Sequence, residues 1–258
     1  MNDTNFDGRA AKFANNIYGT SKGQVREAVL WWLLQQGPLS QLPPLSRVLD
    51  AGGGQGQLAR RVASLGHSVV LMDLSQEMLT LAQQQAEQQG LAAQFEYLHG
   101  PIQTLAQHEL GQFELVLCHA VLEWVAEPLP VLTSLFSTVQ PGGYLSLAFF
   151  NHQAAEFHNL VAGNFDNIGH AMTSRKVRRV RMVPQNPLRN ETVLEQARTV
   201  GFELVEQAGV RVIHDYLRDK SLQQTELERL IELEIEFCRR PLYRELGRYT
   251  HLLLKRPH

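Results

Sequence analysis

A glycine-rich turn behind a short apolar segment constrains the fold of this chain most. Residues 47–51 are mainly apolar, and residues 52–56 consist of four glycines and one glutamine. Apolar spacing then predicts a helix from Gln57 to Ser64, closed by Gly66. Because glycine has no Cβ and tolerates positive φ, such a turn lets the backbone approach a ligand closely. The N–H groups that open the following helix face the same place. The sequence therefore predicts a β-turn-α unit that forms a ligand seat.

Strands and helices alternate along the next hundred residues. Ser75 is a predicted N-cap of a helix that runs to Gly90. Further strands are predicted at 67–73, at about 93–98, from Phe113 to His119 and from Tyr144 to Asn151. This alternation is typical of βαβ units on a parallel sheet, and the continuous apolar fourth strand suits a sheet with helices on both faces. We expect an α/β protein with a doubly wound, mostly parallel, Rossmann-like sheet.

The rest of the chain is predicted to add an N-terminal segment and a cap. Residues 1–46 are expected to pack as a helical segment on a core domain of residues 47–258. Residues 152–190 have no clean period and are predicted to form an inserted cap. The C-terminal part is predicted to hold a strand pair or long strand at 202–217, an acidic amphipathic helix at 221–239 and a final strand from Tyr249 to Lys255.

Composition excludes several classes of protein. With 258 residues, 44% of them hydrophobic, the chain can bury a large core, and its formal net charge of −2 provides no overall basic field for nucleic acid or membrane. The longest apolar run, 28–34, is too short for a signal peptide or a membrane span. No metal-ligand spacing is present, and Cys118 and Cys238 are expected to be reduced core thiols. We therefore expect a cytoplasmic protein without metal or membrane partners, whose nucleic-acid binding, if any, uses a local patch.

The glycine turn does not fit a dinucleotide. A G-x-G-x-x-G fingerprint fails, since the sixth position is Gln57 counted from Gly52 and Ala59 counted from Gly54. Asp50 directly before the turn would repel a pyrophosphate, whereas it suits a ligand with an ammonium group. A nicotinamide dehydrogenase is thereby disfavoured, and an aminoacyl sulfonium cofactor fits.

Two further residues end predicted strands on the same side of the sheet. Asp73 ends the second strand, where a carboxylate can accept hydrogen bonds from both ribose hydroxyls at a topological switch point. Before Ser75 it could equally serve as a turn residue or helix cap. His119 ends the fourth strand and begins a polar and aromatic string through Trp124 that is expected over the cofactor. His119 could also be a hydrogen-bonded core histidine.

Short strings in both terminal regions and in the middle of the chain share a pattern. They are residues 5–7, 16–20, 48–56, 73–75, 119–125, 162–166, 214–218 and 247–249 with His251. Together they resemble the family of bacterial tRNA 5-carboxymethoxyuridine methyltransferases, which belong to the class I S-adenosylmethionine-dependent methyltransferases. The resemblance spans nearly the whole chain. The glycine turn is common to class I enzymes, whereas the terminal strings are more specific.

The resemblance implies methyl transfer from S-adenosylmethionine to the carboxylate of 5-carboxymethoxyuridine at the tRNA wobble position, U34, giving the methyl ester. It also implies roles for individual residues. Arg26 would hold the methionine carboxylate of the cofactor and Asp73 the ribose, while the residues that line the turn, flank adenine and complete the pocket would be Gly52 and Gly53, Ile102 and Gln103, and His119. Asp50 and Gly54 join this set because they belong to the turn itself.

The implied reaction makes a modest chemical demand. A carboxyl group with a reference pKa near ~4 is ionised at neutral pH, so no general base is needed to generate the nucleophile. The protein must mainly align the carboxylate and offset its charge. Arg248, Tyr249 and His251 are candidates for this positioning, although alternate residues of a strand can equally be half-buried packing.

A basic run in the predicted cap is the candidate tRNA surface. It contains Arg175, Lys176, Arg178, Arg179 and Arg181 within seven residues. These cations are predicted to contact phosphates of the anticodon loop, or they form a solvated face. Asn164 and Phe165 could bind or stack the wobble base, as amides and aromatics do in single-stranded loops, or Phe165 belongs to the core.

Two other functions remain open. A small-molecule carboxylate or hydroxyl methyltransferase would keep the cofactor residues without needing the basic run. A non-catalytic RNA-binding module would keep the cofactor for stability alone. The sequence predicts no oligomeric state.

Overall fold

One seven-stranded sheet organises the chain. The computed structural model describes residues 3–5, 7–8, 19–168, 184 and 186–258. The strands are β1 Arg47–Ala51, β2 Ser68–Asp73, β3 Phe95–His99, β4 Phe113–His119, β5 Val139–Phe150, β6 Glu203–Val210 and β7 Tyr249–Lys255. Their order is β3-β2-β1-β4-β5-β7-β6, and β7 runs antiparallel to both of its neighbours. The predicted doubly wound, mostly parallel sheet is confirmed.

Helices cover both faces of this sheet. Their bounds in the described residues are α1 Ser21–Gln36, α2 Gln57–Ala63, α3 Gln76–Gln88, α4 Pro128–Thr138, α5 His152–Val161, α6 Asn190–Thr199, α7 Leu222–Thr225, α8 Leu227–Phe237 and α9 Pro241–Leu246. On one face, Val62 of α2 and Leu79 of α3 pack with strand residues. On the other, Leu132 of α4 and Val193 of α6 do the same.

Several predicted elements are confirmed closely. β1, β4 and β7 have the predicted bounds, and the Ser75 Oγ accepts a hydrogen bond of 3.2 Å from the Met78 N–H as the cap of α3. β5 was predicted to begin at Tyr144. It begins instead at Val139, because the strand also includes the glycine pair directly before Tyr144. There the Gly142 N–H donates to the Arg256 carbonyl over 2.8 Å.

The C-terminal predictions need two corrections. The strand predicted at 202–217 ends at Val210, because the buried Glu234 carboxylate accepts the next backbone N–H groups and holds them in a turn. The single helix predicted at 221–239 is divided into α7 and α8 at Glu226, whose φ of −123° is not helical. α4, α6 and α9 were not predicted from the sequence.

The predicted cap is only partly described. Its first residues form α5, whose N-cap Asn151 accepts the Gln153 N–H over 3.0 Å. Residues 169–183 and 185 lie outside the described part of the chain.

The N-terminal helix α1 belongs to the packed interior. Val25 and Val29 are fully buried, and they cluster with Ala148 of the sheet and Leu230 of α8. The division of the chain into a segment 1–46 and a core domain 47–258 stays a prediction. Cys118 and Cys238 are buried free thiols, as expected. In the described ranges, no helix is long and apolar enough to cross a membrane.

The strand order creates a crevice at the carboxyl ends of the central strands. From β1 the chain proceeds outward to β2 and β3, whereas β4 is followed on its other side by β5. Ligands of doubly wound folds bind where the order reverses in this way, beyond the carboxyl ends of the strands. The crevice therefore lies between the ends of β1 and β4, where the glycine turn and His119 meet.

Candidate active site

The glycine turn after β1 has a shape that other residues would not permit. Gly52, Gly54 and Gly56 have φ values of +79°, +57° and +70°. A Cβ on Gly52 would lie 2.5 Å from a methyl carbon of Val121, and a Cβ on Gly53 would lie 2.5 Å from the Asp50 carboxyl carbon. The glycines therefore leave the backbone of this turn accessible to a ligand.

Asp73, the last residue of β2, is hydrogen-bonded to this turn. Its Oδ2 accepts the Gly54 N–H over 2.8 Å, and its Oδ1 accepts the Ser75 N–H over 2.8 Å. Burial raises the pKa of Asp73 above its usual value, although these N–H groups oppose the shift. Each carboxylate oxygen has a second lone pair, so Asp73 can serve the local turn and still accept ribose hydroxyls.

Two cavities meet at Gly52. The first is mainly apolar. Its lining includes Met72, Asp73, Ile102, Gln103, Val121 and Trp124. An adenosine fits the chemistry of this cavity, with the carboxylate for the ribose and apolar walls for the base. Ile102, Gln103, Val121 and Trp124 thus line one cavity, whereas Leu122 and Glu123 of the same string are fully buried. The contact of Ile102 and Gln103 with adenine stays a prediction.

The second cavity is the polar one, with an empty volume of about 500 Å³. Arg26 of α1, Asp50, Gly52, Gly53 and His119 line it. Asp50 is 5% exposed, and burial, with Asp73 nearby, raises its pKa to about 7. A ligand ammonium beside Asp50 would favour its ionised form, and the Arg26 guanidinium suits a carboxylate. The donor set matches the amino-acid end of S-adenosylmethionine.

His119 is a cavity residue that also has a partner in the interior. Its Nε2 lies 2.8 Å from the Ser146 Oγ, and burial lowers its pKa well below the usual value. His119 is therefore a hydrogen-bonded interior histidine that also lines the cavity, and its role toward a cofactor stays a prediction.

His251 does not stand where the sequence predicts it. It is 1% exposed, and its Nε2 lies 2.8 Å from the Ser146 Oγ, behind His119. The prediction that His251 positions the substrate carboxylate is therefore corrected. Its place in the antiparallel strand β7 brings it against β5 in the interior, so it reaches the cavity only through Ser146 and His119.

The N-terminal residues contribute to the first cavity, which the sequence did not indicate. Asp3 and Thr4 line it. The Asp3 carboxylate accepts the Gln103 Nε2–H over 2.7 Å and the Ala126 N–H over 2.9 Å. The Thr4 N–H donates to the Trp124 carbonyl over 3.1 Å. A short polar segment at a chain end carries no periodic signal, so only the tertiary structure reveals this contact.

Arg248 and Tyr249 lie at the same edge of the sheet, beyond the end of β5. The Arg248 guanidinium carbon is 4.7 Å from the centre of the Phe150 ring, and the Tyr249 ring packs on the same Phe150 at 5.6 Å. The Arg26 guanidinium carbon lies 5.7 Å from the centre of the Tyr249 ring. A row of side chains thus leads from the polar cavity to Arg248.

The Arg248 side chain is a half-buried cation. Among the residues that the structure describes, its Nη1 is a buried nitrogen without a hydrogen-bond partner. Nearby, Arg211 donates from both Nε and Nη2 to the two oxygens of Asp215. One carboxylate therefore stands between two guanidinium groups, and burial lowers the pKa of Arg248. The Glu234 carboxylate also lies near Arg211, so two guanidinium groups and two carboxylates share this region.

The residues predicted to contact RNA are described only in part. Asn164 and Phe165 are both exposed, and Phe165 is 67% exposed, so it is not a core residue. Arg175, Lys176, Arg178, Arg179 and Arg181 lie outside the described residues. No group of side chains that could hold a metal ion occurs in the described ranges.

Comparison with known proteins agrees with the fold. Residues 49–147 match the family model described as "Methyltransferase domain". The plantazolicin methyltransferase BamL, crystallised with SAH, has the same fold at a TM-score of 0.61, with 12% identity over 97% of this chain and 91% of that one. Fold, glycine turn and donor set define a class I methyltransferase whose cofactor is S-adenosylmethionine.

Two curated relatives refine this class. The Ubiquinone biosynthesis O-methyltransferase of Psychrobacter cryohalolentis is 34% identical over 117 residues, 45% of this chain and 46% of that protein. The tRNA 5-carboxymethoxyuridine methyltransferase of Escherichia coli strain K12 is 45% identical over 258 residues, 100% of this chain and 98% of that protein. The chain belongs to the family of tRNA 5-carboxymethoxyuridine methyltransferases.

Proposed function

We propose that this methyltransferase converts the carboxylate of 5-carboxymethoxyuridine at the wobble position of tRNA into its methyl ester. The observation that carries the proposal is the extent of the match to the Escherichia coli relative. The general methyltransferase model stops at residue 147, whereas the match to that relative continues over the whole chain. The additional residues include Arg248 and the segment 162–166, which a small-molecule enzyme would not need in the same form.

The residues around the crevice can divide the work of cofactor binding. When bound, S-adenosylmethionine supplies an electrophilic methyl group on a positively charged sulfur. In this proposal Asp73 binds the ribose, while Arg26 and Asp50 bind the amino-acid end, and their positions in the lining of the two cavities support these roles. The protein then has to hold the acceptor carboxylate in line with that methyl group, which is catalysis by proximity and orientation.

Arg248 is our candidate for holding the acceptor carboxylate. A carboxylate is already a nucleophile at neutral pH, so a cation that orients it is more useful than a base. The unpartnered Nη1 of Arg248 provides a charged donor, and its contact with Phe150 limits its movement. Tyr249 packs between Arg26 and Phe150 and would align the cofactor and acceptor sides.

The tRNA side of the proposal rests on exposed groups. Asn164 and Phe165 follow α5 at the surface, where an aromatic ring can stack on an unpaired base. The basic run 175–181 would contact phosphates of the anticodon loop. In this proposal the protein acts in the cytoplasm, on tRNA that already carries the carboxymethoxy group.

Mass spectrometry of tRNA nucleosides from a strain that lacks this protein tests the proposal. We expect the methyl ester to disappear and 5-carboxymethoxyuridine to accumulate. Re-expression of the parent protein should restore the ester, whereas an Asp73→Ala variant should not. An unchanged nucleoside profile would contradict the proposal and favour a small-molecule acceptor. Restoration by the Asp73→Ala variant would instead favour a non-catalytic RNA-binding role.

A purified assay separates the acceptor from the cofactor. Arg248→Gln is expected to raise KM for tRNA bearing 5-carboxymethoxyuridine or to lower kcat by at least roughly tenfold, because one charge-assisted contact is lost. Its affinity for S-adenosylmethionine should stay within twofold of the parent. Arg244→Gln is the matched control, because Arg244 is a partly exposed arginine that pairs with Glu245 over 3.0 Å. Equal effects of both substitutions would remove Arg248 from the acceptor site.

A further inference from the structure

Three polar side chains form a hydrogen-bonded row that begins at the polar cavity and ends in the interior. His119 ends β4, Ser146 lies in β5 and His251 lies in β7. In the sheet register His119 pairs with Ala148, which in turn pairs with His251. Because alternate residues of a strand point to the same face, Ser146 projects on the side of Ala148 and reaches both rings.

The hydrogen bonds in this row fix a relation between the two rings. Ser146 Oγ lies 2.8 Å from His119 Nε2 and 2.8 Å from His251 Nε2. A hydroxyl has one proton, so it donates to one of these nitrogens and accepts from the other. Burial lowers the pKa of His119 well below its usual value and that of His251 to about 3, so both rings are neutral. The two neutral rings must therefore hold opposite tautomers.

The surroundings of His251 indicate which tautomer each ring holds. Within the described residues, His251 Nδ1 is a buried nitrogen with no hydrogen-bond partner. An orphaned buried N–H is rarer in proteins than an unmet acceptor, so the proton of His251 belongs on Nε2. His251 then donates to Ser146, and Ser146 donates to Nε2 of His119. The proton of His119 is left on Nδ1, the ring nitrogen that remains for the cavity.

We propose that His251 and Ser146 are positioning residues that hold His119 in its Nδ1–H tautomer, so that this N–H donates to the carboxylate at the methionine end of S-adenosylmethionine. His119 lines the polar cavity together with Arg26 and Asp50. An ammonium group has no lone pair to accept an N–H, whereas the carboxylate is an acceptor on every side. The inference depends on the cofactor and is independent of the tRNA substrate.

The tautomers can be observed directly in the full-length protein. Long-range ¹H–¹⁵N NMR spectra of histidine-labelled protein with S-adenosylhomocysteine are expected to place the proton of His119 on Nδ1 and that of His251 on Nε2. Single His119→Asn and His251→Asn variants assign the two sets of signals. The reverse pair of tautomers, or a doubly protonated ring, would overturn the proposal.

Ligand affinity tests the consequence for the cofactor. Ser146→Ala is expected to weaken S-adenosylmethionine by up to roughly tenfold, the effect of one lost hydrogen bond. Its affinity for decarboxylated S-adenosylmethionine, which keeps the ammonium group, should stay within twofold of the parent. Equal losses for the two ligands would contradict a contact with the carboxylate.

Thr250→Val is the matched control for a general loss of packing. Thr250 is fully buried beside His251, and its Oγ1 donates to the Asn190 Oδ1 over 2.6 Å, outside the hydrogen-bonded row. This variant also loses one buried hydroxyl, yet it should not change the ratio of the two affinities. A change in that ratio as large as for Ser146→Ala would overturn the proposal, because the Ser146 hydroxyl would then have no role that the Thr250 hydroxyl lacks.

Discussion

Individual side chains at this site serve the fold and the ligand together. Asp73 accepts N–H groups from Gly54 and Ser75, so it holds the glycine turn and begins the turn before α3. The same carboxylate lines the first, mainly apolar cavity. Asp50 is buried close to it, and each carboxylate raises the cost of ionising the other. Substitutions here therefore need controls that separate local folding from ligand binding.

We expect Asp73→Ala to weaken S-adenosylmethionine by at least roughly tenfold, because two charge-assisted hydrogen bonds to ribose, each worth about 1.5–3 kcal/mol, are lost. Calorimetry measures the affinity. Asp219→Ala is the matched control, since Asp219 Oδ1 accepts the Ser221 N–H over 2.9 Å in the same i to i+2 arrangement, away from the cavities. Binding by folded Asp73→Ala within twofold of the parent would contradict the ribose assignment.

The raised pKa of Asp50 predicts a pH dependence of cofactor binding. Asp50 titrates at about 7 without ligand, and binding an ammonium requires its ionised form. Below pH ~7 the carboxyl must first release a proton, so affinity should rise with pH by up to about tenfold per unit from pH 5.5 to 7. The ligand ammonium, with a reference pKa of about 8, stays charged there.

Asp50→Asn tests this origin of the pH dependence. The variant should bind more weakly at pH 7, and its affinity should change less between pH 5.5 and 7 than that of the parent. Isothermal calorimetry in buffers of different ionisation enthalpy should also show proton release by the parent at pH 6. A pH profile that is the same for both proteins would assign the titration to another group.

At the scale of elements, the N-terminal segment and α1 have different roles. α1 is a core helix, and Arg26 projects from it into the polar cavity. Asp3 and Thr4, by contrast, line the first, mainly apolar cavity and contact the residues that follow β3 and β4. Asp3 and Thr4 thus cover part of this cavity.

We expect Asp3→Ala to speed dissociation of S-adenosylmethionine by roughly three- to tenfold, because two hydrogen bonds that hold this segment over the cavity are lost. Stopped-flow displacement measures the rate. Asp7→Ala is a useful comparison, since Asp7 accepts the Ser75 hydroxyl over 2.6 Å but does not line the cavity. An unchanged rate in Asp3→Ala would show that the segment does not control release.

At the scale of the whole molecule, the acidic balance and the basic run act on different partners. The formal net charge is −2, yet five cations fall within residues 175–181. Binding of RNA by a protein with this balance depends on a local patch, because the summed field does not attract phosphate. The described residues that line the two cavities are different ones, so we expect the two binding events to be altered separately.

We expect a triple Arg178→Gln, Arg179→Gln, Arg181→Gln variant to leave cofactor affinity unchanged and to weaken tRNA. Each lost phosphate contact on single-stranded RNA flattens the slope of log affinity against log salt by roughly 0.7, so three contacts flatten it by about 2. Titrations with tRNA at several salt concentrations measure the slope. An unchanged slope would remove the run from the binding surface and leave the cofactor site intact.

Local patterns predicted the central part of the fold well. β1, β4 and β7 follow runs of apolar residues with clear ends, and Ser75 is a strong cap signal. α4 was missed because Pro128 and Pro130 lie in its first turn, and because Thr133 and Ser137 on its exposed face are weak helix formers. The division between α7 and α8 and the end of β6 depend on contacts with distant residues, which no local pattern contains.

The sequence by itself determined the class of fold and the cofactor seat, because both depend on local features. A turn of glycines after an apolar strand, an acidic residue at the end of the next strand and alternating elements require no knowledge of distant contacts. Tertiary structure alone decided that Asp3 lines the first, mainly apolar cavity and that His251 lies behind His119. It also decided that the Arg248 Nη1 has no hydrogen-bond partner among the described residues. These facts join residues far apart in the chain, and strand pairing and burial, rather than residue type, determine which of them can reach a ligand.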